Sequence, residues 1–142
     1  MAVEISNSRK DISFDVIDTW EGSDEHLTGG SHESADVIHN TLYDTFKRNV
    51  KPVAHLLTPI RKPSLEAVTR YQDASLDFVF IDAAHDYDSV KADILAWKPK
   101  VKPGGYLGGH DYNGCFPGVI DAVHELIQGF EVIKFSWLVQ IK

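Results

Sequence analysis

An α/β fold built on a mostly parallel sheet is predicted by three features of the 142-residue chain. Strand-like apolar runs alternate with stretches at helical spacing, the strongest run is apolar almost throughout, and several runs end in acidic residues. Alternation of this kind implies right-handed crossovers between parallel strands. A nearly unbroken apolar run suits a parallel strand covered on both faces. Acids at strand ends fit the rule that open α/β sheets bind ligands beyond the carboxyl ends of their strands.

Taken in order, Ser13 to Asp18 (SFDVID) reads as a short buried strand ending at Thr19 or Trp20. Residues Glu21 to Ser34, rich in Gly, Ser, His and acids around Gly29-Gly30, read as a mobile loop. Ala35, Ile38, Leu42 and Phe46 form an apolar helical stripe that Asn49 and Pro52 stop. Val53 to Ile60 (VAHLLTPI) predicts a second strand, and Pro63-Ser64 before LEAVTRY predicts a helix start with Ser64 as N-cap. The strongest strand is Leu76 to Ile81 (LDFVFI), which leads into Asp82. Val90, Ile94 and Trp97 then mark a helix ended by Pro99 and Pro103, and Lys102 to Gly105 reads as a turn. YLGGHDY is a strand whose end carries His110 and Asp111, a helix covers Val119 to Ile127, and EVIKF and WLVQIK are a final pair of strands. The whole is read as one domain, 1–142. Asp18, Asp82 and the His110-Asp111 pair are thereby expected on one rim of the sheet.

Composition narrows the function. A formal net charge of −7 argues against a nucleic-acid partner, which is recognised mainly through clustered Lys and Arg. A small polar substrate or a protein partner fits better. The single cysteine, Cys115, excludes an internal disulfide framework. No apolar run reaches the roughly 18 residues of a membrane span, and the N-terminus lacks the apolar core of a signal peptide. The expectation is a soluble, cytoplasmic protein.

The string FVFIDAAHDYDSVKADILAWKPKVKPGGYLGGHDY, followed by FPGVIDAVHEL, resembles the corresponding segment of the small O-methyltransferase-like families of class I S-adenosylmethionine-dependent methyltransferases. VIDTWEGSDEH resembles their second strand and the loop after it, so that the likeness covers most of Ser13 to Leu126. It implies a Rossmann-like sheet, mostly parallel with an antiparallel C-terminal strand. It also implies S-adenosylmethionine as cofactor and a small hydroxylated acceptor.

Residue by residue, the resemblance implies that Asp18 holds the two ribose hydroxyls of the cofactor, and a carboxylate does have two oxygens to accept a vicinal diol. The plainer reading of Asp18 is a strand-end turn. Trp20 falls where it could cover the cofactor, or belong to the core. Ser64 falls near the adenine edge in related enzymes, beside its reading as a helix cap. In catechol-type and macrolide-sugar-type O-methyltransferases an acid after the fourth strand and a pair after the fifth bind magnesium, and Asp82, His110 and Asp111 match those positions. His110 departs from the usual acid or amide, which favours a transition metal or leaves it out of the ligand set. Without a metal, Asp82 and Asp111 are capping or loop acids. His85 is the candidate base, since imidazole titrates near neutrality, against a role in the strand-to-helix turn. Related sugar enzymes place an acid where this chain has Ala84. His26, His32 and His39 lack regular ligand spacing and read as a solvated loop.

The largest departure lies before Ser13, where the family has a first strand, a Gly-rich turn and a helix. Here that stretch is short, and glycine does not occur before Gly22. The absent strand normally sits between the second and fourth, so its loss predicts unpaired edges and association, a homodimer being the favoured form. Two functions follow: a methyltransferase, or a catalytically inactive relative that binds or assembles. A receiver-like or nucleotide-binding domain also uses strand-end acids, but it would need an N-terminal acid pair or a P-loop.

Overall fold

The computed structural model describes residues 7–8, 10–22 and 41–142, and the chain divides into two units, 1–64 and 65–142. The Gly-rich part of the predicted loop and His26, His32 and His39 fall outside the described residues, as do Ala35 and Ile38 of the predicted helix.

In the first unit, β1 (Phe14–Asp18) pairs in parallel with β2 (Leu57–Arg61), in register from Phe14 opposite Leu57 to Asp18 opposite Arg61. Between them runs α1 (Leu42–Val50), followed by a 3₁₀ segment over Lys51–Leu56. That segment takes half of the strand predicted from Val53. Pro52 is the reason: its fixed φ and missing N–H suit the first turn of a helical segment and do not suit a ladder. β2 therefore starts at Leu57. Trp20, just after β1, packs its ring 4.7 Å from Tyr43 and 4.8 Å from Phe46 of α1.

In the second unit, α2 (Ser64–Ala67) opens at the unit boundary and runs into a 3₁₀ turn, Val68–Arg70. Ser64 is thus the first helical residue, one position inside the cap expected for it. There follow β3 (Leu76–Ile81), α3 (Tyr87–Trp97), β4 (Val101–Gly109), α4 (Pro117–Leu126), β5 (Glu131–Ile133) and β6 (Ser136–Gln140). The sheet order is β3-β4-β6-β5, with β3 and β4 parallel and the last two strands antiparallel. This is the α/β, Rossmann-like arrangement with an antiparallel C-terminal strand. β1 and β3 each have one edge that no described strand pairs.

The turn predicted at Lys102 to Gly105 lies inside β4. Its turn chemistry survives as an irregularity, in which the ladder steps from Leu76 opposite Val101 to Phe78 opposite Tyr106 and Gly104 takes φ +84°. The core lies between one sheet face and the two long helices: Val90 and Ile94 of α3 and Val119, Ala122 and Val123 of α4 meet Leu107 and Trp137. Each fully buried aliphatic side chain there, Leu107, Ile94 and Val123, contributes about 1.5–3 kcal/mol. α3 and α4 are also tied by Lys91, whose ammonium donates to Glu125 at 2.7 Å and to the Tyr87 hydroxyl at 2.9 Å. The other sheet face differs from the expectation of cover on both sides, for Phe78 is 44% and Tyr106 43% exposed.

Gly109 marks the closest approach in this sheet. A Cβ there would stand 2.6 Å from Trp137 Nε1 and 2.8 Å from the Ile81 carbonyl oxygen, neither of which can retreat within a packed ladder. Gly109→Ala is therefore expected to destabilise the protein by about 1–3 kcal/mol, read as a lower denaturation midpoint in urea with an unchanged slope.

Candidate active site

The parallel pairing of β3 and β4 extends one residue past the strands, where the His110 amide donates to the Ile81 carbonyl at 3.0 Å. That bond sets Asp82, the next residue after Ile81, beside the His110-Asp111 pair. Asp111 itself adopts φ 57°, the left-handed region that Asp tolerates better than most residues, and the chain turns sharply there. One ligand-type atom from each of Asp82, His110 and Asp111 lies within 4.8 Å of the others, the only such group of three found among the described residues.

Within the group, His110 Nδ1 is 3.2 Å from Asp111 Oδ1 and 3.8 Å from Asp82 Oδ1. The second oxygen of Asp111 meets His85 Nε2 at 2.9 Å. A carboxylate acceptor favours the Nε2–H form of His85. Its ring lies against Phe116, with centroids 4.1 Å apart. Asp111 and His85 are about one-fifth exposed, whereas Asp82 and His110 stand out at 59% and 42%. The inner pair is fixed by packing and the outer pair faces solvent.

Two further residues hold this corner and escape a motif reading. Phe116 backs His85, and Gly118 in the first turn of α4 lets the helix approach the 85–87 turn: a Cβ there would stand 2.6 Å from the Tyr87 nitrogen and 2.7 Å from the His85 carbonyl oxygen. FPG before an apolar helical run shows a helix start, with Pro117 in the first turn, but nothing local says that the same glycine touches a distant turn.

The residues expected near a cofactor lie in the first unit. Asp18 Oδ1 accepts the Trp20 amide at 2.7 Å, which is the strand-end turn reading realised, and its other oxygen accepts no bond from a described residue. A carboxylate has about four acceptor positions, so this turn leaves room for a diol. Trp20 is 4% exposed, and its ring is committed to Tyr43 and Phe46. Its φ of 53° is strained for so bulky a residue and is held by that packing. Ser64 is half-buried at the start of α2.

A family model described as a methyltransferase domain matches residues 3–112. The uncharacterized protein y4gI of Sinorhizobium fredii (strain NBRC 101917 / NGR234) is 34% identical over 98 residues, which make up 68% of this chain and 10% of that protein. Among solved structures, the O-methyltransferase NovP is similar with a TM-score of 0.65 at 18% identity, over 99% of this chain and 64% of its own. The MycE methyltransferase of the mycinamycin biosynthetic pathway, in complex with Mg, SAH and mycinamycin VI, is similar with a TM-score of 0.50 at 16% identity, over 96% and 47%. These structures share the fold. The chain spans about a tenth of the curated relative and less than two-thirds of either structure.

Asp86 fastens the loop that carries His85 to α3, because its side chain caps the helix by accepting the Ser89 amide at 2.9 Å. The Ser89 bonds hold the Asp86 carboxyl below its ordinary value of 3.8. A depressed folded-state pKa means stability that is complete above the unfolded value and is lost as pH falls through the folded one. Asp86→Ala is expected to cost about 0.5–2 kcal/mol at neutral pH. In urea denaturation followed from neutral pH into acid, the difference between variant and parent should shrink below the ordinary carboxyl range. A difference that held constant into acid would assign the loss to something other than the cap.

Proposed function

The chain belongs to the methyltransferase-domain family matched over residues 3–112, and on that premise we propose that it transfers a methyl group from S-adenosylmethionine to an oxygen of a small hydroxylated acceptor, with a divalent metal such as Mg held by Asp82, His110 and Asp111. The observation that carries this reading is the convergence of those three side chains within 4.8 Å at the ends of β3 and β4. Two carboxylates and an imidazole form a donor set that fits a dication, and MycE, similar in fold, is in complex with Mg and SAH.

A bound dication supplies Lewis acidity that lowers the pKa of an acceptor hydroxyl. In methyl transfer the methyl carbon leaves sulfur as it bonds to oxygen, and the acceptor proton must go elsewhere. His85, held beside Asp111 through Nε2, is the group assigned to receive it. Phe116 fixes the plane of that ring. For the cofactor, Asp18 accepts the ribose hydroxyls, the buried ring of Trp20 stiffens the turn beneath Asp18, and Ser64 meets the adenine edge.

Calorimetric titration with S-adenosylhomocysteine and S-adenosylmethionine tests the reading directly. Hydrogen bonds to a charged group are worth about 1.5–3 kcal/mol, so Asp18→Ala is expected to weaken cofactor binding by about tenfold or more. Absence of binding by the parent protein at millimolar ligand would remove the enzymatic reading.

The second reading is a family member that binds or assembles without turnover, as a homodimer. It is favoured by the exposed row of Phe78, Tyr106, Ile133 and Phe135, since apolar surface of this kind invites association. Cofactor titration separates the two readings, and sedimentation as a monomer at micromolar concentration would remove the dimer.

A further inference from the structure

The metal reading leaves open which dication the site selects, and His110 bears on that choice. Resting on that reading, we infer that the cluster selects a first-row transition ion over magnesium, with His110 Nδ1 as the ligand that decides between them. Magnesium is hard, prefers oxygen donors in near-octahedral geometry and gives up water reluctantly. Imidazole is a poor exchange for that water but a good ligand for Fe, Co, Ni and Zn.

The local structure supports His110 as a ligand. Nδ1 is the ring nitrogen turned toward both carboxylates, at 3.2 Å from Asp111 Oδ1 and 3.8 Å from Asp82 Oδ1. The His110 backbone is pinned by the Ile81 carbonyl, so its side chain is delivered to this place by the sheet. Asp111 Oδ2 is engaged by His85, which leaves Oδ1, the oxygen facing His110, for an ion. That is the histidine-to-carboxylate support that commonly orients a metal ligand. Residues 83–85, Ala-Ala-His, add no side-chain oxygen donor beside Asp82. Two carboxylates neutralise a dication, and three protein ligands leave positions for acceptor oxygens.

The test uses the full chain, stripped with a chelator and titrated separately with Co²⁺ and Mg²⁺. Co²⁺ is followed by its visible absorption and Mg²⁺ by calorimetry. Co²⁺ is expected to bind one ion per chain at least about tenfold more tightly than Mg²⁺, and Mn²⁺ at the site should show ¹⁴N coupling from imidazole in pulsed electron paramagnetic resonance. His110→Asp should abolish the nitrogen coupling and reduce the Co²⁺ to Mg²⁺ preference about tenfold or more, with the fold retained by circular dichroism. Asp82→Asn should weaken both ions, which separates this site from adventitious binding at other histidines. A Co²⁺ to Mg²⁺ ratio unchanged in His110→Asp, or a parent that binds Mg²⁺ as tightly as Co²⁺, would overturn the inference. So would failure of both ions to bind, which would also remove the metal from the proposed function. Cofactor titration is independent: loss of S-adenosylhomocysteine binding with the Co²⁺ preference intact would sink the methyltransferase activity and leave the metal selectivity standing.

Discussion

The site depends on one backbone hydrogen bond, from the His110 amide to the Ile81 carbonyl. It prolongs the parallel β3/β4 ladder past its last strand pair, Ile81 with Gly109, and so converts sheet register into side-chain proximity. In a parallel pair both chains leave the sheet at the same end, so the residues following the last bond emerge as neighbours however much sequence separates them. Asp82 meets His110 and Asp111 for this reason. A slip of register by one residue would move every side chain to the other face and scatter the group.

That register is enforced by packing behind it. Trp137 of β6 lies 1% exposed against Gly109, where a Cβ would collide with both the indole and the Ile81 carbonyl. On the flanking side Gly118 lets the first turn of α4 reach the His85 turn, and Asp86 closes the start of α3. The left-handed Asp111 sits where these constraints meet. A strained backbone persists only where its surroundings over-determine it, and here the ladder, the helix approach and the bond to His85 all act on that residue.

Much of the second unit is legible in the sequence. The apolar run Leu76 to Ile81 gives its strand at the predicted bounds, and Val90, Ile94 and Trp97 are buried at the helical spacing that announces α3. Asp82, His110 and Asp111 are readable as strand-end residues because strand ends are where periodicity stops. What is not legible depends on distant partners. The 3₁₀ segment at Lys51–Leu56 displaces a strand pattern through a single proline, and the turn residues Lys102 to Gly105 are drawn into β4 by pairing with β3. Phe78 belongs to an apolar run yet stands exposed, since the run records that the strand is apolar and not what covers each face. Trp20 shows the converse, for an aromatic beside a predicted ligand site spends its ring on Tyr43 and Phe46. Gly118 carries no local signal, because its constraint comes from a turn far away in sequence.

The alternation of β4 explains why an imidazole is well suited to position 110. Leu107 and Gly109 point to the packed face, so Tyr106, Gly108 and His110 share the other one. That face is lined by Phe78, Phe80 and Leu138 as well as Tyr106, and His110 is its polar end. An acid there would place three carboxylates together beside an apolar floor, where the cost of their repulsion rises as solvent is displaced. Imidazole reduces the negative charge by one and keeps a ring nitrogen toward Asp82 and Asp111. An imidazole at position 110 therefore eases the electrostatics among these side chains.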